Sequence, residues 1–239
     1  MEKKENKMQN VYNLVIMDKS GSMESIRKYA IDGFNELLNG VRKTAEEFKD
    51  SQKQMVSLVL FDTSSIDTLA WNEDPAKVKH LDNKTYVPCA CTPLYDAMGM
   101  ALTRLKKEIG DDKEASVMVT VITDGLENAS KEYSLGDIKA LVSELKDKGW
   151  NFAYMGTDHD VTSVTVELNI GNFVNFSKDA AGTADAFAKE ARARARYSRK
   201  WKDFIGLNSC ASEAEIRSFK EKLNSEYYKE DEDTGADKG

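Results

Sequence analysis

Apolar positions along the chain fall into two kinds of run. Short, nearly continuous stretches rich in β-branched residues, at 11–17, 55–61 and 115–123, read as strands buried on both faces. Longer stretches carry apolar residues at threes and fours. Ile26, Ala30, Phe34, Leu37, Leu38, Val41, Ala45 and Phe48 form one such stripe; Leu94, Ala97, Met98, Ala101, Leu102, Leu105 and Ile109 form another. Thr92-Pro93 opens the second helix, since proline suits the first helical turn and Thr can cap it. A strand over 65–71 follows its predecessor closely enough to make a hairpin. Beyond lie a helix over 134–148, a strand over 150–156, a short helix over 161–168, a short strand over 173–176 and a long helix from Ala180.

Strands alternating with helices predict an α/β fold, doubly wound, with a mostly parallel six-stranded sheet and helices on both faces. We place an N-terminal extension at 1–10 and the main domain at 11–200. A C-terminal loop and helix that pack on it follow at 201–229, and a disordered acidic tail at 230–239. Within the C-terminal part, 201–210 reads as the loop and 212–228 as a helix capped by Ser212 with Glu215.

Composition narrows the function. With 41% hydrophobic and 31% charged residues, a disordered or fibrous chain is excluded. A net charge of −7 argues against nucleic-acid binding by the whole surface. Two histidines, His80 and His159, leave little room for zinc hydrolase chemistry or a catalytic triad, and three cysteines make no disulfide framework. The charged start and the short apolar run after it predict neither a signal peptide nor a membrane span, and hence a cytoplasmic protein.

In an open α/β sheet, ligands bind beyond the carboxyl ends of the strands, where the strand order reverses. Asp18, Ser20 and Ser22 leave the first strand there, Asp124 leaves the strand ending in Ile122-Thr123, and Thr92 precedes the helix leading into it. Together they offer three hydroxyls and two carboxylates, a set of hard oxygen donors that suits magnesium. A shell of this kind leaves the ion electrophilic and open to an external carboxylate. The plainer reading of Asp18, Ser20 and Ser22 is a helix cap with a turn, and of Asp124-Gly125 a turn, but capping explains neither Thr92 nor Asp124.

The series Asp18-Lys-Ser-Gly-Ser22, Thr92-Pro-Leu-Tyr-Asp96 and Ile122-Thr-Asp124-Gly125 resembles the von Willebrand factor A (VWA) domain family over about 10–200. Members carry a metal-ion-dependent adhesion site with the signature Asp-x-Ser-x-Ser, a later Thr and a later Asp. The resemblance implies direct coordination by Ser20, Ser22 and Thr92, with Asp18 and Asp124 close by, often through water. It implies one antiparallel edge strand, at 65–71, in the sheet. It further implies magnesium or manganese, with calcium the poorer match, and a binding module without enzymatic activity whose protein partner supplies an acidic residue to the metal. Similarity to bacterial intracellular single-domain members points to a stress-response or metal-resistance setting. Relatives often approach the Thr through glycines, whereas here Pro88-Cys-Ala-Cys91 precede Thr92.

Other residues carry competing readings. Cys89 and Cys91 read as partly buried loop thiols more readily than as a thiol metal site. Asp158-His-Asp160 reads as a helix cap or a part of the site's rim, and Asp96 as a residue that braces a ligand or complements a helix dipole. Arg192, Arg194 and Arg196 spread around a helix and read as a solvated helical end, against a nucleic-acid surface. A magnesium-dependent enzyme acting on phosphate esters, with Lys19 as its cation, and an RNA-associated module are the alternative functions.

Overall fold

Strand β1 (Gln9–Asp18) runs through the middle of a six-stranded sheet, flanked in parallel by β2 (Gln52–Phe61) and β4 (Ser116–Thr123). The computed structural model describes residues 8–157, 161–208 and 210–229; the acidic tail over 230–239 and the Asp158-His-Asp160 segment lie outside them. Outward from β2 comes β3 (Ile66–Glu73), antiparallel, and outward from β4 come β5 (Asn151–Gly156) and β6 (Asn172–Asn175), both parallel. The order β3-β2-β1-β4-β5-β6 reverses direction between β1 and β4, so their carboxyl ends border the crevice where such sheets bind ligands.

The central strands are apolar on both faces because helices cover both. Leu14 and Ile16 of β1, with Val117, Val119 and Val121 of β4, meet α2 (Leu94–Ile109) and α3 (Leu135–Asp147). Val15 and Met17 point the other way, toward α1 (Arg27–Glu47) and α5 (Ala180–Leu207). A short 3-10 turn (Gly21–Ile26) feeds α1, and α4 (Val161–Glu167) precedes β6. Helices α1 and α5 touch at Gly33, where an added Cβ would stand 2.3 Å from the Phe187 ring, far inside van der Waals contact. The expected elements are present, with β1 starting at Gln9, inside the segment read as an extension.

Two parts of the C-terminal half differ from the sequence-based expectation. Helix α5 does not stop near residue 200 but runs to Leu207. Trp201, fully buried, stacks on Phe204 and Phe219, and Phe204 lies 4.0 Å from Phe219. This aromatic cluster draws the last turns of α5 against α6 (Glu213–Ser225), so residues read as loop are helical. Helix α6 starts as expected, in a capping box between Ser212 and Glu215.

The second difference is Arg194, which is no solvated end. It is 2% exposed and sits on the buried stripe of α5. Its guanidinium donates to Glu190 Oε1 at 2.8 Å, Thr120 Oγ1 at 2.6 Å and Asn13 Oδ1 at 3.0 Å. Thr120 and the hydroxyls of Tyr227 and Tyr228 also donate to the Glu190 carboxylate. Every polar group brought under α5 by this cluster thus has partners, the condition for burying charge at tolerable cost. Lys220 of α6 is likewise buried, donating to the carbonyls of Lys113 at 2.9 Å and Ala115 at 2.6 Å, with the Trp201 ring 5.0 Å away.

Arg194→Met should therefore leave the Glu190 carboxylate buried without its counter-charge and cost about 3–5 kcal/mol in urea unfolding. Adding Glu190→Gln should recover a large part of that loss. Burial pulls the Lys220 ammonium down from 10.5 to about 8, so between those values the unfolded chain holds a proton that the folded one has released. Relative to Lys220→Met, the protein should gain stability as pH rises through that interval, by at most about 3 kcal/mol, as read by denaturation at pH 7.5, 9 and 10.5.

Candidate metal centre

Asp18 closes β1 with its side chain fully buried. Its Oδ1 accepts the Ser20 N–H at 2.6 Å, which folds the chain sharply at the strand end, and its Oδ2 accepts the Thr123 hydroxyl at 2.6 Å. Ser20 Oγ lies 3.2 Å from Ser22 Oγ, and Ser22 donates to Asp124 Oδ1 at 2.5 Å. Ser20 occupies the cap position of the 3-10 turn in extended conformation, but its side chain makes no capping bond. Thr92, 3% exposed, does not cap α2 either, because Pro93 occupies that position. A Cβ on Gly125 would lie 3.6 Å from Ser22 Oγ and 3.7 Å from Thr92 Oγ1, so both hydroxyls edge the same point beside that glycine. All five sequence-derived residues thus meet at the ends of β1 and β4.

The electrostatics favour a cation. Burial raises the Asp18 carboxyl from 3.8 to about 6, against the Thr123 and Ser20 hydrogen bonds and with the nearby Asp124 charge adding to the rise. Asp124 is also shut from water, and its Oδ2 makes no hydrogen bond of ordinary geometry while standing 2.7 Å from the Lys178 ammonium. A buried carboxylate that already draws a positive charge fits a site for a hard cation, and so does the surrounding hydroxyl oxygen. Among the described residues no three His, Cys, Asp or Glu side chains gather as a ligating group, so a cation here would rely on hydroxyls as well as carboxylates.

Two further segments frame the centre. Residues 86–91 are laced to the β1 turn: Tyr86 donates to the Asp18 carbonyl at 2.5 Å, Cys89 N–H to Lys19 O at 2.8 Å, and Gly21 N–H to Ala90 O at 3.0 Å. Ala90 adopts a φ of +60°, the conformation that glycine would enter without strain. Cys89 and Cys91 are exposed, contrary to the partly buried placement expected, because backbone bonds to Lys19 and Thr63 hold the loop outside the core. The Cys89 thiol donates to Asp62 Oδ2 at 3.2 Å.

The other segment, 125–133, lies over the start of α2. Asn128 exchanges two bonds with Thr92, its Oδ1 accepting at 2.9 Å and its N–H donating at 3.2 Å. Glu127 accepts the Tyr95 N–H, and Asp96 accepts the N–H groups of Lys131, Glu132 and Tyr133 at 2.8–2.9 Å. Asp96 stands in the first turn of α2, as the helix-dipole reading expects, and is at the same time a clasp for this loop. Glu127, Asn128 and Lys178 escaped sequence reasoning. The polar run after Asp124-Gly125 was a usable signal for the first two, since Asn and Glu side chains organise turns by accepting backbone N–H groups; Lys178 reaches the centre only through the tertiary fold.

No family model matches the sequence, and no curated protein matches it. Solved structures do. The SpRpn10 VWA domain aligns at 10% identity with a TM-score of 0.51, covering 74% of this chain and 93% of that one. The pilus adhesin SpaC from Lactobacillus rhamnosus GG, in its open conformation, aligns at 13% identity and 0.59, covering 81% of this chain and 31% of its own. Proximal thread matrix protein 1 from the mussel byssus, with a zinc-occupied metal-ion-dependent adhesion site, aligns at 15% and 0.54, covering 79% and 46%. This chain thus spans under half the length of the last two. The shared feature is the fold: the chain has the VWA architecture.

Asp96→Ala should release the three N–H groups it holds and cost about 1–3 kcal/mol in equilibrium unfolding. Amide exchange should accelerate first at 131–133, with the β1 and β4 amides protected as before.

Proposed function

We propose that this chain is a divalent-cation-dependent protein-binding module. Ser20, Ser22 and Thr92 would hold magnesium directly, with Asp18 and Asp124 nearby, and a partner protein's carboxylate would complete the shell. Manganese would serve in its place. The observation that carries this proposal is the meeting of three hydroxyls and two buried carboxylates at the reversal point of the sheet, one carboxylate oxygen already paired with an ammonium. When bound, the ion supplies Lewis acidity toward an acidic side chain. The chain's own residues supply the rest. Asp18 fixes the β1 turn through Ser20 N–H and ties it to β4 through Thr123; Asn128 fixes Thr92; and Ser22, an exposed residue, turns its hydroxyl to Asp124. The VWA fold supports the proposal, as does a relative whose adhesion site holds zinc.

The competing functions draw less support. Lys19, the cation that a phosphate-handling enzyme would use, is 7% exposed and its charge is taken up by Asp62 at 2.6 Å. The arginine cluster that would suit RNA loses Arg194 to the interior. No helix among the described residues is long and apolar enough to cross a membrane.

Capture of partners from the native host should be run in magnesium, in chelator, and with Ser20→Ala. We expect the same partner to be lost at least tenfold in the last two, and lost again when its contacting Asp or Glu is changed to the amide. Equal recovery under all conditions would remove the cation from the mechanism.

A further inference from the structure

Lys178 stands just ahead of α5 and extends across the strand ends to the centre. Its Nζ lies 2.7 Å from Asp124 Oδ2, the oxygen without an ordinary hydrogen bond. The lysine side chain is 22% exposed and that of Asp124 fully buried, so water screens this charge pair little on the carboxylate side. The opposite oxygen of Asp124 is occupied by Ser22. Next door, the Asp18 carboxylate is buried and accepts from the Thr123 hydroxyl and the Ser20 N–H. Lys178 is thus a positive charge delivered directly onto Asp124, one of two neighbouring buried acids. Its backbone position is secured, because Asp179 caps α5 by accepting the Gly182 N–H at 2.7 Å.

We propose that Lys178 is a built-in counter-ion of the metal centre, a tethered ammonium that a divalent cation must outcompete and that thereby sets the centre's metal affinity. The inference rests on the cation-dependent function proposed above. The physics is simple. Without a metal, Asp124 would be a buried carboxylate with one oxygen bare, a costly state that the ammonium relieves. A dication near the same carboxylate meets that ammonium as a like charge at short range and in a poorly screened place. Either the lysine swings out to solvent, giving up its ion pair, or it stays and repels. Both weaken metal binding, and both vanish when the charge is removed. Lysine suits the part, since its ammonium is a compact point charge on a mobile four-carbon stem.

The test is calorimetric titration of the full chain with MgCl2 and with MnCl2, comparing the natural sequence with Lys178→Met and Lys178→Arg. Lys178→Met should bind both ions about 10-fold more tightly, and Lys178→Arg within about twofold of the natural chain. Unchanged or weaker affinity in Lys178→Met would overturn the proposal while leaving the metal centre intact, because the natural chain would still bind. Failure of all three proteins to bind either ion would overturn the centre itself and this proposal with it. Thermal unfolding gives an independent reading: in chelator Lys178→Met should melt below the natural chain, and saturating magnesium should close the gap. Equal melting in chelator would also count against the counter-ion role.

Discussion

Of two parallel neighbours, β1 ends in Asp18 and β4 is followed at once by Asp124, and both side chains are sealed from water. Burying two negative charges this near to one another costs free energy that the apolar core cannot repay, and the surrounding loops are arranged around that problem. Thr123, the Ser20 backbone and Ser22 offer hydrogen-bond donors, and Lys178 brings a charge from beyond β6. Tyr86 and Asn128 then pin the loops that carry these groups. The centre is first of all a cluster of buried acids, and the loops around it answer that charge.

The sequence was most informative where local pattern and tertiary role coincide. Asp18, Ser20, Ser22, Thr92 and Asp124 stand at the ends of strands or the start of a helix, and the apolar periodicities mark those ends. The sheet was legible for the same reason, since continuous β-branched runs and amphipathic helices alternate in order. Lys178 was not, because nothing local distinguishes a lysine before a helix from any solvated one. Arg194 shows a subtler limit. Arginines two apart on a helix lie about 200° apart around it, so when Arg192 faces outward Arg194 must face inward. Spreading around the helix was noticed, but Glu190 one turn earlier, its partner, was not. The misread segment after residue 200 has a similar cause: Trp201 and Phe204 become helical through contact with Phe219, distant in sequence.

Helix α5 links these features. Its first turn follows the lysine that touches the centre, its middle carries the Glu190–Arg194 pair onto β1 and β4, and its last turns hold α6 through stacked rings. The tyrosines that follow α6 return to Glu190 and close the circuit. A buried ionic cluster of this sort is weak evidence for added stability but specifies where a helix sits, because an off-register α5 would strand charges in the core.

The notch at Gly33 carries this point into mechanics. Phe187 seats its ring where α1 has no side chain, while Ala30 and Leu37, a turn to either side, both bear one. Sliding α5 along its neighbour by one 5.4 Å pitch would drive the ring into a methyl or an isobutyl group. The two helices therefore form a keyed joint with a single detent, and any displacement of one is constrained to carry the other as cargo.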